Sequence, residues 1–162
     1  MYAAIDRCEL KGIINAIPSK SFAHRILICA ALAKDETRVI GKLDSDDFKA
    51  TKGCLEKLGA RFEEKEDGYI VTPSRSYRSN TILDCGESGS TFRFLLPVIA
   101  ALGISATFEG KGRLAERPMG ELIDVIRASG VSVSADKLPL NVSGNIVANH
   151  FAIRGDISSQ YI

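Results

Sequence analysis

Four groups of residues in this chain have the types and spacing to hold a multiply charged anion. The first is Lys20-Ser21 with Arg25 four positions on, inside the run IPSKSFAHR at residues 17–25. The apolar residues 26–33 that follow read as a helix, so the lysine, the hydroxyls and the arginine stand at its start. A first helical turn has unpaired N–H groups and the positive end of the dipole, and Ser21 and Arg25 share a face. Phosphate or carboxylate suits such a place; a plain helix cap followed by a solvated arginine fits the same spacing. The second group is the glycine-serine loop CGESGST at residues 85–91. Gly86 and Gly89 allow close backbone approach, as in phosphate nests, although the loop matches neither a Walker A nor a G-x-G-x-x-G pattern. The third is Ser158-Ser159-Gln160. The fourth is GKGRLAERPM at residues 110–119, three cations in a glycine-rich stretch. A flexible basic surface loop is the plainer reading of it. Of the three cations Arg117 is the best placed, because Pro118 fixes it beside a helix start.

Hydrolytic or metal chemistry has less to stand on. No Ser/His/Asp set is visible, and His24 and His150 read as structural, without identifiable partners. Cys8, Cys29, Cys54 and Cys85 are far apart and lack zinc spacing. Asp44, Asp46 and Asp47 are contiguous in a helix cap and lack EF-hand spacing, so a metal site is not expected there. A net charge of +1 argues against a nucleic-acid binder. No signal peptide or membrane-length apolar run is visible, and four reduced thiols fit a cytoplasmic protein. Asn141-Val142-Ser143 matches a glycosylation sequon and is taken as a chance match.

The elements that must position these groups recur. A loosely alternating run over residues 2–14 reads as one or two short strands. A helix over 21–33, a strand at 38–40, a helix over 46–58 stopped by Gly59 and a hairpin from 61–63 and 68–72 follow. The order then repeats: a strand at 81–84, the glycine-serine loop, an apolar helix over 92–102, a strand at 105–109, a helix over 119–129 and a strand pair at 131–134 and 140–142. Pro97 should kink the second apolar helix or delay its start. Ser90 lies 69 positions after Ser21, Leu102 lies 70 after Leu32, and Gly130 lies 71 after Gly59. Ser159 follows Ser90 by 69 again. The 162 residues thus hold two βαβαββ units, about 18–83 and 84–154, and the opening of a third near 155. Units of this kind bury a shared core around a pseudo-symmetry axis, and their serine loops then converge on one anion. The chain reads as a piece of a longer protein.

IPSKSFAHR, DCGESGSTFR, RLAERPMGELI and the final GDISSQYI, in this order, resemble the N-terminal part of the 5-enolpyruvylshikimate-3-phosphate synthases, the 3-phosphoshikimate 1-carboxyvinyltransferases. The resemblance covers the whole chain and about the first third of the family's length. It implies an α/β fold, the inside-out α/β barrel of enolpyruvyl transferases, with helices inside and sheets outside. Residues 1–17 would be a strand segment belonging to the C-terminal domain, and residues 18–162 part of the N-terminal domain. The reaction implied is transfer of the enolpyruvyl group of phosphoenolpyruvate to the 5-hydroxyl of shikimate 3-phosphate, with release of phosphate and without metal or cofactor. That step lies in the shikimate pathway, toward chorismate and the aromatic amino acids.

By the same resemblance Lys20 is catalytic and touches both substrates. Lys20, Ser21, Arg25, Ser158, Ser159 and Gln160 would bind shikimate 3-phosphate, and Lys20, Gly89, Arg117 and Gln160 phosphoenolpyruvate. Glu87 is a departure, where some members have asparagine; its carboxylate must point away from the anions or pair with a cation. The family's acid/base carboxylates lie in the domain this chain does not include, so the chain alone is expected to be inactive and to self-associate, while the intact enzyme is a monomer. A UDP-N-acetylglucosamine enolpyruvyl transferase, or a phosphate-binding module without catalysis, are the other readings.

Overall fold

The computed structural model describes residues 9, 11–14, 16–42, 44–148, 150–156 and 160. Three of its four helices start alike, on a serine whose hydroxyl accepts a backbone N–H three residues on. Ser19 caps α1 (Lys20–Leu32), Ser45 caps α2 (Asp46–Leu58) and Ser88 caps α3 (Gly89–Leu102). Such a cap satisfies one of the orphan donors of a first turn. Asp46 and Asp47 add negative charge at the positive end of α2. Gly59 and Gly103 end α2 and α3 at positive φ, 113° and 64°, where a side chain would be strained. The fourth helix, α4, spans Gly120–Ala128, behind a short 3₁₀ turn at Gly112–Glu116.

Two sheets flank these helices. Strands β1 (Thr37–Ile40), β2 (Arg61–Lys65) and β3 (Gly68–Thr72) form an antiparallel sheet in the order β1-β3-β2. Strands β4 (Thr81–Asp84), β5 (Ala106–Glu109), β6 (Ser132–Val133) and β7 (Leu140–Ser143) form the second, in the order β4-β5-β7-β6, with β4 parallel to β5. Without β4 the two sheets have the same order. Helices α1 and α3 start 69 residues apart, and so do β1 and β5. The repeat read from the sequence is therefore a repeat of topology.

Helix α1 packs on α2 and α3, and α3 packs on α2 and α4, while the sheets lie against this helical layer. Leu27, Leu55, Leu83, Phe92, Leu95, Leu96, Ile99, Phe108 and Ile123 fill the core between them, each essentially inaccessible. Phe92 of α3 meets Phe108 of β5 edge-on, with ring centroids 5.3 Å apart. On the other face of the helical layer an apolar groove of about 510 Å³ runs between α1, α3 and α4. Ile28, Phe94, Pro97, Leu122 and Ile153 line it, and Arg25, Arg93 and Gln160 also border it.

One expectation fails here, and of the two outcomes expected of Pro97 the delayed start is not seen. Lys11-Gly12-Ile13-Ile14 is not a strand. Ile13 and Ile14 are 98% and 92% exposed, and alternation alone cannot hold an extended segment that has no neighbouring strand. The outer edge of β1 correspondingly has no partner among the described residues, whereas β4 occupies the equivalent edge of β5. The rest of the expected first strand, residues 2–8 and 10, lies outside the described residues. Pro97 does not delay its helix either. Helix α3 starts at Gly89, earlier than expected, and runs through the proline. One lost N–H bond there is offset by a face of buried leucine, isoleucine and phenylalanine.

Candidate active site

Two of the three serine-capped helix starts hold residues singled out in the sequence. From α1 come Lys20, Ser21 and Arg25; from α3 come Gly89, Ser90 and Arg93. Lys20 Nζ lies 3.8 Å from the Asp47 carboxylate on α2, and both are solvent-accessible. Arg25 donates through Nη1 to the Ser21 carbonyl at 3.0 Å, and its guanidinium lies 4.4 Å from the centre of the Phe94 ring. The face shared by Ser21 and Arg25 is thus real, and stacking on an aromatic ring holds the arginine extended toward α3.

Gly89 sits at the start of α3 between two arginines. A Cβ built there would lie 2.9 Å from Arg117 Nη1 and 3.4 Å from Arg93 Nη1. Arg117 is held by its own N–H, which donates to the Leu114 carbonyl at 3.2 Å, and Leu114 is fully buried. Arg93 donates to Gln160 Oε1 at 2.8 Å and to the Pro118 carbonyl at 3.3 Å. Gln160 Nε2 donates in turn to Ser90 Oγ at 2.6 Å. Gln160 is therefore at α3, as its place in the repeat predicts. Ser158 and Ser159 lie outside the described residues.

The remaining charges are accounted for locally. Lys111 donates to Asp84 Oδ2 at 2.7 Å, and Asp84 Oδ1 accepts the Gly86 N–H at 2.8 Å. These bonds hold the Asp84 carboxyl below the usual carboxylate range and tie Lys111 to the loop. Glu87 turns onto the 110–113 segment: a Cβ at Gly112 would collide with its carboxylate, and Gly112 has φ +54°. The hydrogen bond with Cys54, and then burial, push the Cys85 thiol up, so it stays protonated and is no nucleophile. Among the described residues no three His, Cys, Asp or Glu side chains gather to hold a metal ion.

Sequence reasoning missed three residues, Arg93, His24 and Thr51. Arg93 was visible only as a charge in the first turns of a helix; its spacing of three from Ser90 puts it on the same face. His24 was read as having no partner, and that is corrected here: Nδ1 lies 2.7 Å from Thr51 Oγ1, and the ring is buried. A signal existed, because Leu27, Ile28 and Ala31 follow at helical spacing and place His24 on the buried face. Thr51, 27 residues away, left none.

Burial pushes the His24 imidazole below its ordinary value; Asp47 opposes that shift, and Arg25 and Lys20 add to it. The unfolded chain then binds the proton more readily than the folded one, so stability falls as pH drops below about 6.5. Thermal melts between pH 7.5 and 5 are expected to show a midpoint that falls on acidification, and a shallower fall in His24→Asn. Equal slopes for the two proteins would remove His24 as the cause.

Comparison with known proteins gives the family and the fold. The family model for EPSP synthase (3-phosphoshikimate 1-carboxyvinyltransferase) matches residues 6–162. The chain belongs to the EPSP synthase family. A 3-phosphoshikimate 1-carboxyvinyltransferase of Clostridium kluyveri is 35% identical over 164 residues, covering 99% of this chain and 38% of that protein. One from Clostridium botulinum (strain Alaska E43) is 38% identical over 163 residues, covering 95% and 37%. The chain thus spans about 38% of the length of such EPSP synthase relatives. The EPSP synthase of Acinetobacter baumannii superposes with a TM-score of 0.72 at 23% identity, over 89% of this chain and 33% of that one. The enolpyruvyl transferase NikO from Streptomyces tendae gives 0.56 at 17%, over 81% and 31%. The fold is therefore the mixed α/β fold of EPSP synthases and enolpyruvyl transferases.

Proposed function

We propose that this chain forms one wall of an enzyme that transfers the enolpyruvyl group of phosphoenolpyruvate to the 5-hydroxyl of shikimate 3-phosphate and releases phosphate. What supports the reading most is the convergence, in a chain of this family, of Lys20, Arg25, Arg93, Arg117 and Gln160 on the starts of α1 and α3. Two multiply charged anions repel each other, and only several cations with aligned N–H groups bring them together. Arg25, with Ser21 beside it, would hold the phosphate of shikimate 3-phosphate. Arg117 at Gly89 would hold phosphoenolpyruvate, and Gln160 on Ser90 would stand between the two. Lys20 reaches both, and its ammonium offsets charge as the hydroxyl oxygen adds to the enolpyruvyl carbon and phosphate leaves. Ser158 and Ser159 would complete the sugar-phosphate site.

Residues 1–17 would belong to the C-terminal domain of the longer enzyme and residues 18–162 to its N-terminal domain, in units of about 18–83 and 84–154 with a third from near 155. A cytoplasmic setting fits the free thiols at Cys29, Cys54 and Cys85. Among the described residues no helix is long and apolar enough to cross a membrane. General acids and bases and a closing second wall come from elsewhere in the enzyme. The apolar groove gives the chain by itself a surface for self-association.

The test is phosphate release from both substrates by this chain, alone and mixed with the C-terminal segment of a relative. Turnover only in the mixture is expected; turnover by the chain alone would overturn the one-wall reading. Replacing Arg25 by alanine should weaken shikimate 3-phosphate binding about ten- to a hundred-fold, since a charged hydrogen bond contributes roughly 1.5–3 kcal/mol. Titration calorimetry reads this directly, and an unchanged affinity would make Arg25 a surface residue.

A further inference from the structure

Beneath the helix starts runs a buried line of side chains with no role in the assignments above. His24 of α1 and Ser88, the cap of α3, are 2% exposed; Thr51 of α2 and Thr91 of α3 are fully buried. His24 Nδ1 lies 2.7 Å from Thr51 Oγ1, which lies 2.7 Å from Thr91 Oγ1, which lies 2.8 Å from Ser88 Oγ. Ser88 Oγ also accepts the Thr91 N–H at 3.2 Å. Both threonine hydroxyls lie within reach of the Asp47 carbonyl in the first turn of α2, at 3.3 and 3.4 Å. One continuous polar chain thus joins the first turns of three helices.

Each hydroxyl has one proton, so the chain has a direction. With Nδ1 as acceptor, Thr51 donates to His24, and Thr91 donates either to Thr51 or to Ser88. With a proton on Nδ1 the order reverses, and Thr51 and Thr91 donate toward Ser88 or the Asp47 carbonyl. In either direction removal of one member takes a partner from a buried neighbour and leaves it the longer bond to the Asp47 carbonyl, which is costly in a site closed to water. A leucine would fill the place of His24 as well for packing alone. The histidine therefore contributes position, not volume.

We propose that His24 is a positioning residue, locking the starts of α1, α2 and α3 together through Thr51, Thr91 and Ser88. It thereby fixes Lys20, Ser21 and Arg25 on α1 against Gly89 and Ser90 on α3; the functional part of this inference rests on the anion site proposed above. The charged groups facing the ring are Asp47 from α2 and Lys20 and Arg25 from its own helix, and α3 presents Phe94, with ring centroids 6.3 Å apart. Burial and the two cations favour the neutral ring, which lets Nδ1 act as acceptor.

Three variants of the 162-residue chain test this: His24→Leu, Thr51→Val and His24→Asn, whose amide falls near the Nδ1 position. Amide hydrogen exchange followed by NMR is the first readout, and titration with inorganic phosphate the second. In His24→Leu and Thr51→Val the Thr91 amide should exchange about tenfold faster while the amides of β5 keep their rates. His24→Asn should restore the parent rate. Phosphate affinity should fall about tenfold in the first two variants and recover in the third, as expected for loss of one buried hydrogen bond in a preorganised site. An unchanged Thr91 rate, or a uniform acceleration of all amides, would overturn the proposal, the second because it marks an ordinary core residue. If His24→Leu does not fold, the isosteric Thr51→Val decides by the same two criteria. Absence of phosphate binding in the parent chain would count against the anion site, and Thr91 exchange would still decide whether the helix starts are locked.

Discussion

Arg117→Ala is expected to lower phosphoenolpyruvate affinity about ten- to a hundred-fold, the loss of one charge-assisted hydrogen bond worth roughly 1.5–3 kcal/mol. The size of the effect follows from how the side chain is held. Its backbone closes the 3₁₀ turn through the Leu114 carbonyl, Leu114 is buried in the core, and Pro118 follows directly. A backbone already fixed beside a helix start leaves only the side chain to be ordered on binding. Arg93 faces the same glycine and would retain part of the anion's stabilisation, which sets the lower end of the range. Lysine at 117 should recover little, because a compact ammonium cannot reproduce the planar two-pronged contact. Calorimetric titration of the variant with phosphoenolpyruvate is the measurement; an affinity equal to the parent's would place the site elsewhere.

Phe108→Ala should cost about 3–5 kcal/mol of stability. Phe108 is fully buried, and it is where the second sheet meets α3 through the edge-on contact with Phe92. An alanine there leaves a cavity between β5 and α3 and forfeits the aromatic pair. Small domains have roughly 5–15 kcal/mol in total, so the variant should unfold at a much lower urea midpoint with an unchanged slope. A midpoint close to the parent's would mean that the sheet and helix close over the gap.

Much of this arrangement was legible in the sequence, for identifiable reasons. Helix α2 and strand β4 fall on the expected residues, since Ser45, Gly59 and the β-favouring 81–84 run punctuate them sharply. The start of α3 was drawn three residues late, because Gly89-Ser90-Thr91 has weak helix propensity; the Ser88 cap overrides that. The strand expected at Lys11–Ile14 failed because a strand is a property of pairs and a sequence shows one member. Lys20, Ser21, Arg25, Gly89 and Arg117 are singled out by local chemistry and by resemblance. Arg93, His24 and Thr51 are not, since contacts such as His24 to Thr51 or Arg93 to Gln160 join residues 27 and 67 positions apart.

The outer edge of β1, which has no partner among the described residues, also bears on how the protein behaves in concentrated solution. A row of unused backbone donors and acceptors is a template for any extended chain that meets it. Ile40, 74% exposed at the end of that strand, adds an apolar anchor. The Arg38–Asp67 ion pair at 2.8 Å is a charged obstacle nearby, but salt weakens such an exposed pair. Aggregation would thus proceed by strand addition from the folded state, growing with ionic strength and leaving the helices intact.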